Sequence, residues 1–353
     1  MGETVLVAGA AGFVGSAVTR ACLQHGLRVI AVDNFLHGVP ENLSGLPLRV
    51  HKFDLSDFSG LAELITSAQI DYIVNAAGDT FVPAAYDYPG RFVSNNIVVT
   101  LNLLQAARIG TVRRMLQLST TEIYGITDGS ALNENSPIAP VNTYAVTKLA
   151  ADQLCFTYSD EHGVPVTVLR LFNTYGPGAT HPYVIPEIIS QLSRGDTVRL
   201  GNLDAARDFT YVTDTAAAVH SLLAADMPRK GVFNVGSGQV TSVRELVEHT
   251  AAAMGVASPR LVSDAARLRR MDISVFRCDS SRLRAATGWQ PRVSIEEGLK
   301  RTIDSYRRRG NVWPWELSLA DAASQVDVTS CSPLPARDRE RRYRKTDELA
   351  SQG

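Results

Sequence analysis

Tyr144 and Lys148 stand four residues apart in a stretch of helical pattern, and positions at that spacing share one helix face. A lysine ammonium beside a phenol favours the phenolate and lowers its pKa, and a positively charged ring nearby would act in the same sense. A tyrosine tuned this way can take a hydroxyl proton while the carbon gives up hydride. The pair alone is common on exposed helix faces, so its weight depends on its surroundings. Upstream, Ser119-Thr-Thr-Glu-Ile-Tyr-Gly125 ends a strand-like run, and α/β sheets bind their ligands at the C-terminal ends of strands.

A hydride needs an acceptor, and the N-terminus offers a place for one. Gly9-Ala-Ala-Gly12-Phe-Val-Gly15 follows an apolar run and opens a helical one. Glycines there allow a tight turn and let backbone approach a pyrophosphate at the helix N-terminus. Asp33 ends the next strand, where a carboxylate can accept both ribose hydroxyls and repels a 2′-phosphate. No arginine follows it immediately, so the cofactor is read as NAD. Asp54-Leu55 ends the third strand and could flank the adenine. Asn75-Ala-Ala-Gly78 puts small residues where a cofactor could lie against backbone.

These residues need a scaffold. Short β-branched runs at 4–8, 28–32, 49–53, 72–75, 114–119 and 166–171 alternate with helical stretches at 16–25, 61–68, 95–108 and 143–162. That alternation predicts an α/β fold, a Rossmann-type doubly wound parallel sheet. After about Asn173 the elements become shorter and less regular, with helical stretches at 184–194, 214–226, 243–254 and 295–308. The division expected is 1–172 for NAD, including the Tyr144–Lys148 helix, and 173–317 as a smaller, mainly substrate-binding C-terminal region. Residues 318–353 are expected to be a disordered tail, with six basic residues among the nine of 337–345.

Composition excludes several classes. The 353 residues carry 35 basic and 36 acidic side chains, a formal net charge of -1. That balance gives no reason to expect a nucleic-acid or anionic-membrane partner. Cys22, Cys155, Cys278 and Cys331 lie far apart, which suggests buried thiols in a reducing compartment, not a zinc site or a disulfide framework. No basic leader opens the chain and no apolar run spans a bilayer, so a cytoplasmic protein is expected.

With Asn173-Thr-Tyr-Gly-Pro177, Arg207-Asp-Phe-Thr-Tyr-Val212, Asn234-Val-Gly-Ser-Gly238 and Gly288-Trp-Gln-Pro291 added in order, the chain resembles the extended short-chain dehydrogenase/reductases. The branch is that of the nucleotide-sugar epimerases and dehydratases, and the likeness covers roughly residues 4 to 308. It implies a nucleotide-diphosphate sugar as substrate and a homodimer built on the helices at 95–108 and 143–162. Leu149, Leu154 and Phe156 could serve either that interface or the core. It implies that Thr120 hydrogen-bonds the sugar 4-hydroxyl, that Asn173 contacts the diphosphate, and that Arg207 and Arg269 bind phosphates or nucleoside. Asn96 matches a structural asparagine near the active site. The expected cofactor set is Gly9, Gly12, Phe13, Val14, Gly15, Asp33, Asn34, Asp54, Leu55, Ala76, Ala77 and Asn96, with Tyr144 and Lys148. Thr80, Asn173, Arg207 and Arg269 form the substrate set.

The same resemblance bears on the reaction. Oxidation at carbon 4 acidifies the proton on carbon 5; Glu122 matches the base that removes it in the dehydratases, after which water leaves from carbon 6. Epimerases of this branch carry small residues at that place. Thr121 stands where the dehydratases of deoxythymidine-diphosphate glucose carry an aspartic acid. A hydroxyl residue there resembles the GDP-mannose dehydratases, some dehydratases of UDP-N-acetylglucosamine, and the UDP-glucuronate decarboxylases. Asp79, Phe81 and Ala84-Ala85 also depart from the usual residues near the sugar. The expectation is a 4,6-dehydratase, perched on Thr120, Thr121, Glu122, Tyr144 and Lys148, acting on a UDP-N-acetylhexosamine. A UDP-glucuronate decarboxylase and a 4-epimerase are the near alternatives. A catalytically idle NAD sensor is the alternative from another class.

Overall fold

The computed structural model describes residues 2–178, 180–268 and 273–313. Its main sheet has seven strands, all parallel. They run in the order Lys230–Val235, Val166–Leu171, Arg114–Thr120, Tyr72–Asn75, Thr4–Ala8, Arg28–Asp33 and Val50–Lys52. This is the doubly wound parallel sheet that the alternation predicts. The seventh strand, Lys230–Val235, comes from well beyond residue 173 and was not among the predicted runs.

A parallel sheet needs cover on both faces, and successive strand residues point to opposite sides. Val5 and Val7 pack into one layer with Val18, Cys22, Val219 and Leu222. These belong to helices Phe13–Gln24 and Val212–Ala224. Leu6 and Ala8 pack into the other with Leu61, Ile65, Leu103 and Cys155. The helices there are Phe58–Ala68, Val99–Ile109 and Thr143–His162. Leu154 and Phe156 lie against that second layer, and Leu149 lies against a smaller cluster around Ile123 and Phe276. All three therefore contribute to the core.

A second sheet joins Val240–Ser242, Ala206–Tyr211, Val275–Cys278 and Ala131–Leu132, and Asn173–Tyr175 pairs with Ala206–Tyr211. Each half of the chain thus lends a strand to the other's sheet, and the described residues form one compact unit. Cys22, Cys155 and Cys278 are free and buried. Among the described residues, no helix is long and apolar enough to cross a membrane. The expected tail at 318–353, Cys331 within it, lies outside the described residues.

Candidate functional site

The turn between Thr4–Ala8 and Phe13–Gln24 is set by its glycines. Gly9 has a φ of 73°, a region glycine enters without steric cost. A Cβ on Gly9 would fall 2.7 Å from the backbone nitrogen of Ala77, and one on Gly15 would fall 1.9 Å from the Gly9 carbonyl oxygen. The third glycine therefore lets the helix close on the strand. Gly12 begins the helix with no side-chain cap, which leaves first-turn N–H groups for an anion. A Gly15→Ala variant is expected to lose about 1–3 kcal/mol of stability through overpacking and to lose its thermal stabilisation by NAD. Thermal unfolding with and without NAD checks both.

Asp33 is buried, and its carboxylate ties two loops together. Oδ2 accepts from Ala11 N–H at 2.8 Å and Oδ1 from Phe35 N–H at 2.7 Å. Burial pushes this carboxyl above the usual range, against the pull of those donors. It lines a cleft of about 530 Å³, counted to its open mouth, with Gly9, Gly12, Asn34, Asp54, Leu55, Ala76 and Ala77. Asn34 Nδ2 donates to Asp54 at 3.2 Å across one end. Glycine backbone at one end and carboxylates at the other suit a dinucleotide. Behind the cleft, Val14 packs on the core and Phe13 lies against Gly178. Asn96 spends its amide within the protein, on both backbone groups of Asp79 (2.9 and 3.0 Å) and on Thr147 (2.9 Å).

Helix Thr143–His162 starts at Asn142, whose Oδ1 accepts from Ala145 N–H at 2.8 Å, and ends at Gly163 in the left-handed region. It presents Tyr144 and Lys148, both buried, to the end of strand Arg114–Thr120. Lys148 Nζ donates to the Leu118 carbonyl at 2.5 Å. Burial pulls its pKa down to about 8. One turn on, Asp152 is fully buried with Arg170 Nε at 3.5 Å, and burial pushes its carboxyl up to about 6. Burial also pushes the Tyr144 phenol above its ordinary value, and the Thr120 hydroxyl draws it back. In the chain by itself, then, desolvation outweighs the phenolate-favouring effect expected of Lys148.

Thr120 ends the strand and turns into the short helix Thr121–Tyr124, its Oγ1 accepting from Glu122 N–H at 3.2 Å. Glu122 Oε2 accepts from Asn142 Nδ2 at 3.0 Å. The Thr121 hydroxyl is buried without a hydrogen-bond partner among the described residues. Thr120, Thr121, Glu122, Tyr144 and Lys148 thus gather at one strand end.

On the adjoining side, Thr80 Oγ1 meets Tyr183 OH at 2.8 Å and Phe81 stacks on His181 with centroids 5.1 Å apart. Asp79 is buried and accepts from His37 Nε2 (2.6 Å), Asn95 Nδ2 (2.6 Å) and the Arg91 guanidinium (3.0 Å). Burial works to raise its carboxyl, but these partners outweigh it and hold it below the usual range. The unusual residue at this position is therefore a brace between loops. Asn173 is exposed in the strand Asn173–Tyr175. The Arg207 guanidinium donates to the Ala206 carbonyl at 2.9 Å and lies over the Phe276 ring. Arg269 lies outside the described residues. The sequence reading passed over Asn142, His37 and Tyr183. Asn142 alone carried a local signal, an N-cap residue before a helical pattern.

The GDP-mannose 4,6 dehydratase family model matches residues 6–302. A GDP-6-deoxy-D-mannose reductase of Pseudomonas aeruginosa is 32% identical over 318 residues, 88% of this chain and 99% of the relative. A UDP-glucuronate 4-epimerase of Thermodesulfobacterium geofontis is 28% identical, across 85% of this chain and 94% of that one. Among solved structures, a dTDP-glucose 4,6-dehydratase of Streptomyces venezuelae, crystallised with NAD, superposes with a TM-score of 0.81 at 29% identity, covering 88% of this chain and 99% of that one. One frame hosts a reductase, an epimerase and a dehydratase, so the reaction has to be read from the site. On the family match and the residues it aligns, the chain belongs to the GDP-mannose 4,6-dehydratase family of extended short-chain dehydrogenase/reductases.

Proposed function

We propose that this chain is a nucleotide-sugar 4,6-dehydratase. The observation that carries the reading is a carboxylate, Glu122, held beside Thr120 and Tyr144 by a hydrogen bond from Asn142. NAD is the cofactor and supplies the acceptor, and later the donor, of one hydride. Thr120 positions the sugar 4-hydroxyl and Tyr144 takes its proton as the phenolate, a form that Lys148 and the positive nicotinamide ring together would favour against burial. Glu122 then removes the proton of carbon 5, which the new ketone acidifies, and passes it to the hydroxyl that leaves carbon 6 as water; the hydride would return to carbon 6 and a proton from solvent to carbon 5. Asn173, Arg207 and Arg269 hold the diphosphate and nucleoside, and Thr80 reaches the sugar. We place the dinucleotide with residues 1–172 and most of the sugar with 173–317, in a cytoplasmic homodimer whose interface would cover exposed Val98 and Val146.

The Arg207–Val212 and 184–189 segments resemble those of the dehydratases that make UDP-N-acetylhexosamine derivatives, which supports such a sugar. Thr121 favours one second reading, a UDP-hexuronate decarboxylase. A hydroxyl is a poor acid, and loss of carbon dioxide from a 4-keto sugar needs no proton for a leaving hydroxyl. The intact Thr120, Tyr144 and Lys148 speak against an idle sensor.

The test is mass spectrometry of products from UDP-N-acetylglucosamine, UDP-glucose, UDP-glucuronate, dTDP-glucose and GDP-mannose. Loss of one water from any of them supports the dehydratase. Loss of carbon dioxide from the glucuronate replaces it with the decarboxylase. Unchanged masses throughout overturn both, and an NMR spectrum then distinguishes an epimerase from an inert binder.

A pH effect follows from Lys148. Its ammonium is the active form, and its pKa is pulled down to about 8 by burial. Turnover is expected to fall as pH rises through that value. Lys148→Arg keeps its charge to far higher pH, so whatever activity it retains should lack that alkaline fall. A wild-type profile flat to pH 10 contradicts the assignment.

A further inference from the structure

Asn142 has two jobs on the page. Its Oδ1 caps the helix that carries Tyr144 and Lys148, accepting from Ala145 N–H at 2.8 Å, and its Nδ2 donates to Glu122 Oε2 at 3.0 Å. The cap fixes the amide's orientation. A backbone N–H needs an acceptor, so the oxygen must face Ala145 and the nitrogen must face Glu122. The acceptor end is thus locked to the helix, and the donor end is aimed at a carboxylate on the neighbouring strand end. Glu122 is tied to Thr120 on its other side through its own backbone N–H. One planar side chain therefore joins the start of the helix to the Glu122 carboxylate.

We propose that Asn142 is a positioning residue that orients the Glu122 carboxylate for proton removal from carbon 5. The inference rests on the reading of Glu122 as that base. A donor from one side holds one oxygen of the carboxylate and so restricts the rotation of the group. Both ends of the Asn142 amide are committed, to Ala145 N–H and to Glu122, so it should govern the carbon 5 step and leave the carbon 4 step alone.

Two substitutions separate this from a purely structural role. Asn142→Asp keeps a capping oxygen, strengthens the helix N-terminus, and faces Glu122 with a second carboxylate. Asn142→Gly removes the side chain at a position where glycine is well tolerated as a cap. Each holoenzyme is mixed in deuterated water with each of the five nucleotide sugars named above. Formation of NADH is followed by stopped-flow absorbance, and entry of deuterium at carbon 5 by mass spectrometry. Both variants should slow the deuterium step by roughly tenfold to a hundredfold, the range expected for losing one hydrogen bond to a charged group. NADH should form at the wild-type rate in both, and the thermal midpoint of the Asp variant should not fall.

A merely structural role predicts the opposite order, with the better-capped Asp variant behaving like wild type. Unchanged exchange in the Asp variant overturns the inference, as does equal slowing of both steps. If wild type exchanges carbon 5 of some sugar and the variants match it, Asn142 alone is misassigned. If wild type forms NADH yet exchanges carbon 5 of none, the role of Glu122 fails and this inference falls with it.

Discussion

Replacing Tyr144 by Phe stops turnover of nucleotide sugar and spares both the fold and NAD binding. The ring itself has a packing role that phenylalanine keeps. It meets Phe92 edge-on, with centroids 6.3 Å apart, in a buried cluster with Val82 and Ala85. Only the hydroxyl is lost, and with it the group proposed to take the 4-hydroxyl proton. General acid–base groups contribute about 10²–10⁴-fold to rate, so kcat should fall by about that factor. In single-turnover absorbance NADH should appear slower by the same factor, since the first step is the one impaired. The thermal midpoint with saturating NAD should match wild type. A variant that forms NADH at the wild-type rate would remove Tyr144 from the chemistry.

Glu122→Gln should fail at a different point. The amide matches the carboxylate in shape, and its oxygen can still accept from Asn142 Nδ2, which now lies 3.0 Å from Glu122 Oε2. It cannot take a proton. Oxidation at carbon 4 should proceed, because Thr120, Tyr144 and Lys148 are untouched, while removal of the carbon 5 proton should slow by about 10²–10⁴-fold. The enzyme should therefore stall with NADH and a 4-keto sugar bound, visible as a long-lived absorbance. Turnover without that stall, at a rate near wild type, would show that another group is the base. The two variants together distinguish the steps, one slow to form NADH and the other accumulating it.

Much of this site can be read from the chain because its signals are local. Asn142 and Gly163 bracket helix Thr143–His162 as a cap and a left-handed stop, and the predicted and observed ends coincide. Glycine spacing marks the turn between strand and helix, and Asp33 ends its strand as expected. Long-range pairing is what one dimension hides. Ala131–Leu132 is too short to carry a period, and its partner is Val275–Cys278. Lys230–Val235 earns its place in the main sheet only by lying beside Val166–Leu171.

Some motifs were visible while their work was not. The Arg207–Val212 and Asn234–Gly238 segments meet through Asp208, whose carboxylate accepts from the Ser237 and Gly238 N–H groups, both at 2.7 Å. Gly288-Trp-Gln-Pro291 docks by Trp289 Nε1 donating to the Asp214 carbonyl at 2.9 Å. These are braces between elements, and a linear pattern cannot tell a brace from a ligand contact. The His37–Asp79 pair joins residues 42 apart, and nothing near either residue announces the other.

The proposed reaction is one in which bound NAD would take a hydride from carbon 4 and return it to the same sugar, with Glu122 opening the way for loss of water. The measurement that tests it most directly uses the nucleotide sugar turned over by wild type, deuterated at carbon 4, in ordinary water with excess unlabelled NAD. The account predicts a product lighter by one water that carries the label at carbon 6 in the same molecule, with no net NADH. Label released to the NAD pool or to solvent, or label still on carbon 4 of a dehydrated product, would contradict it.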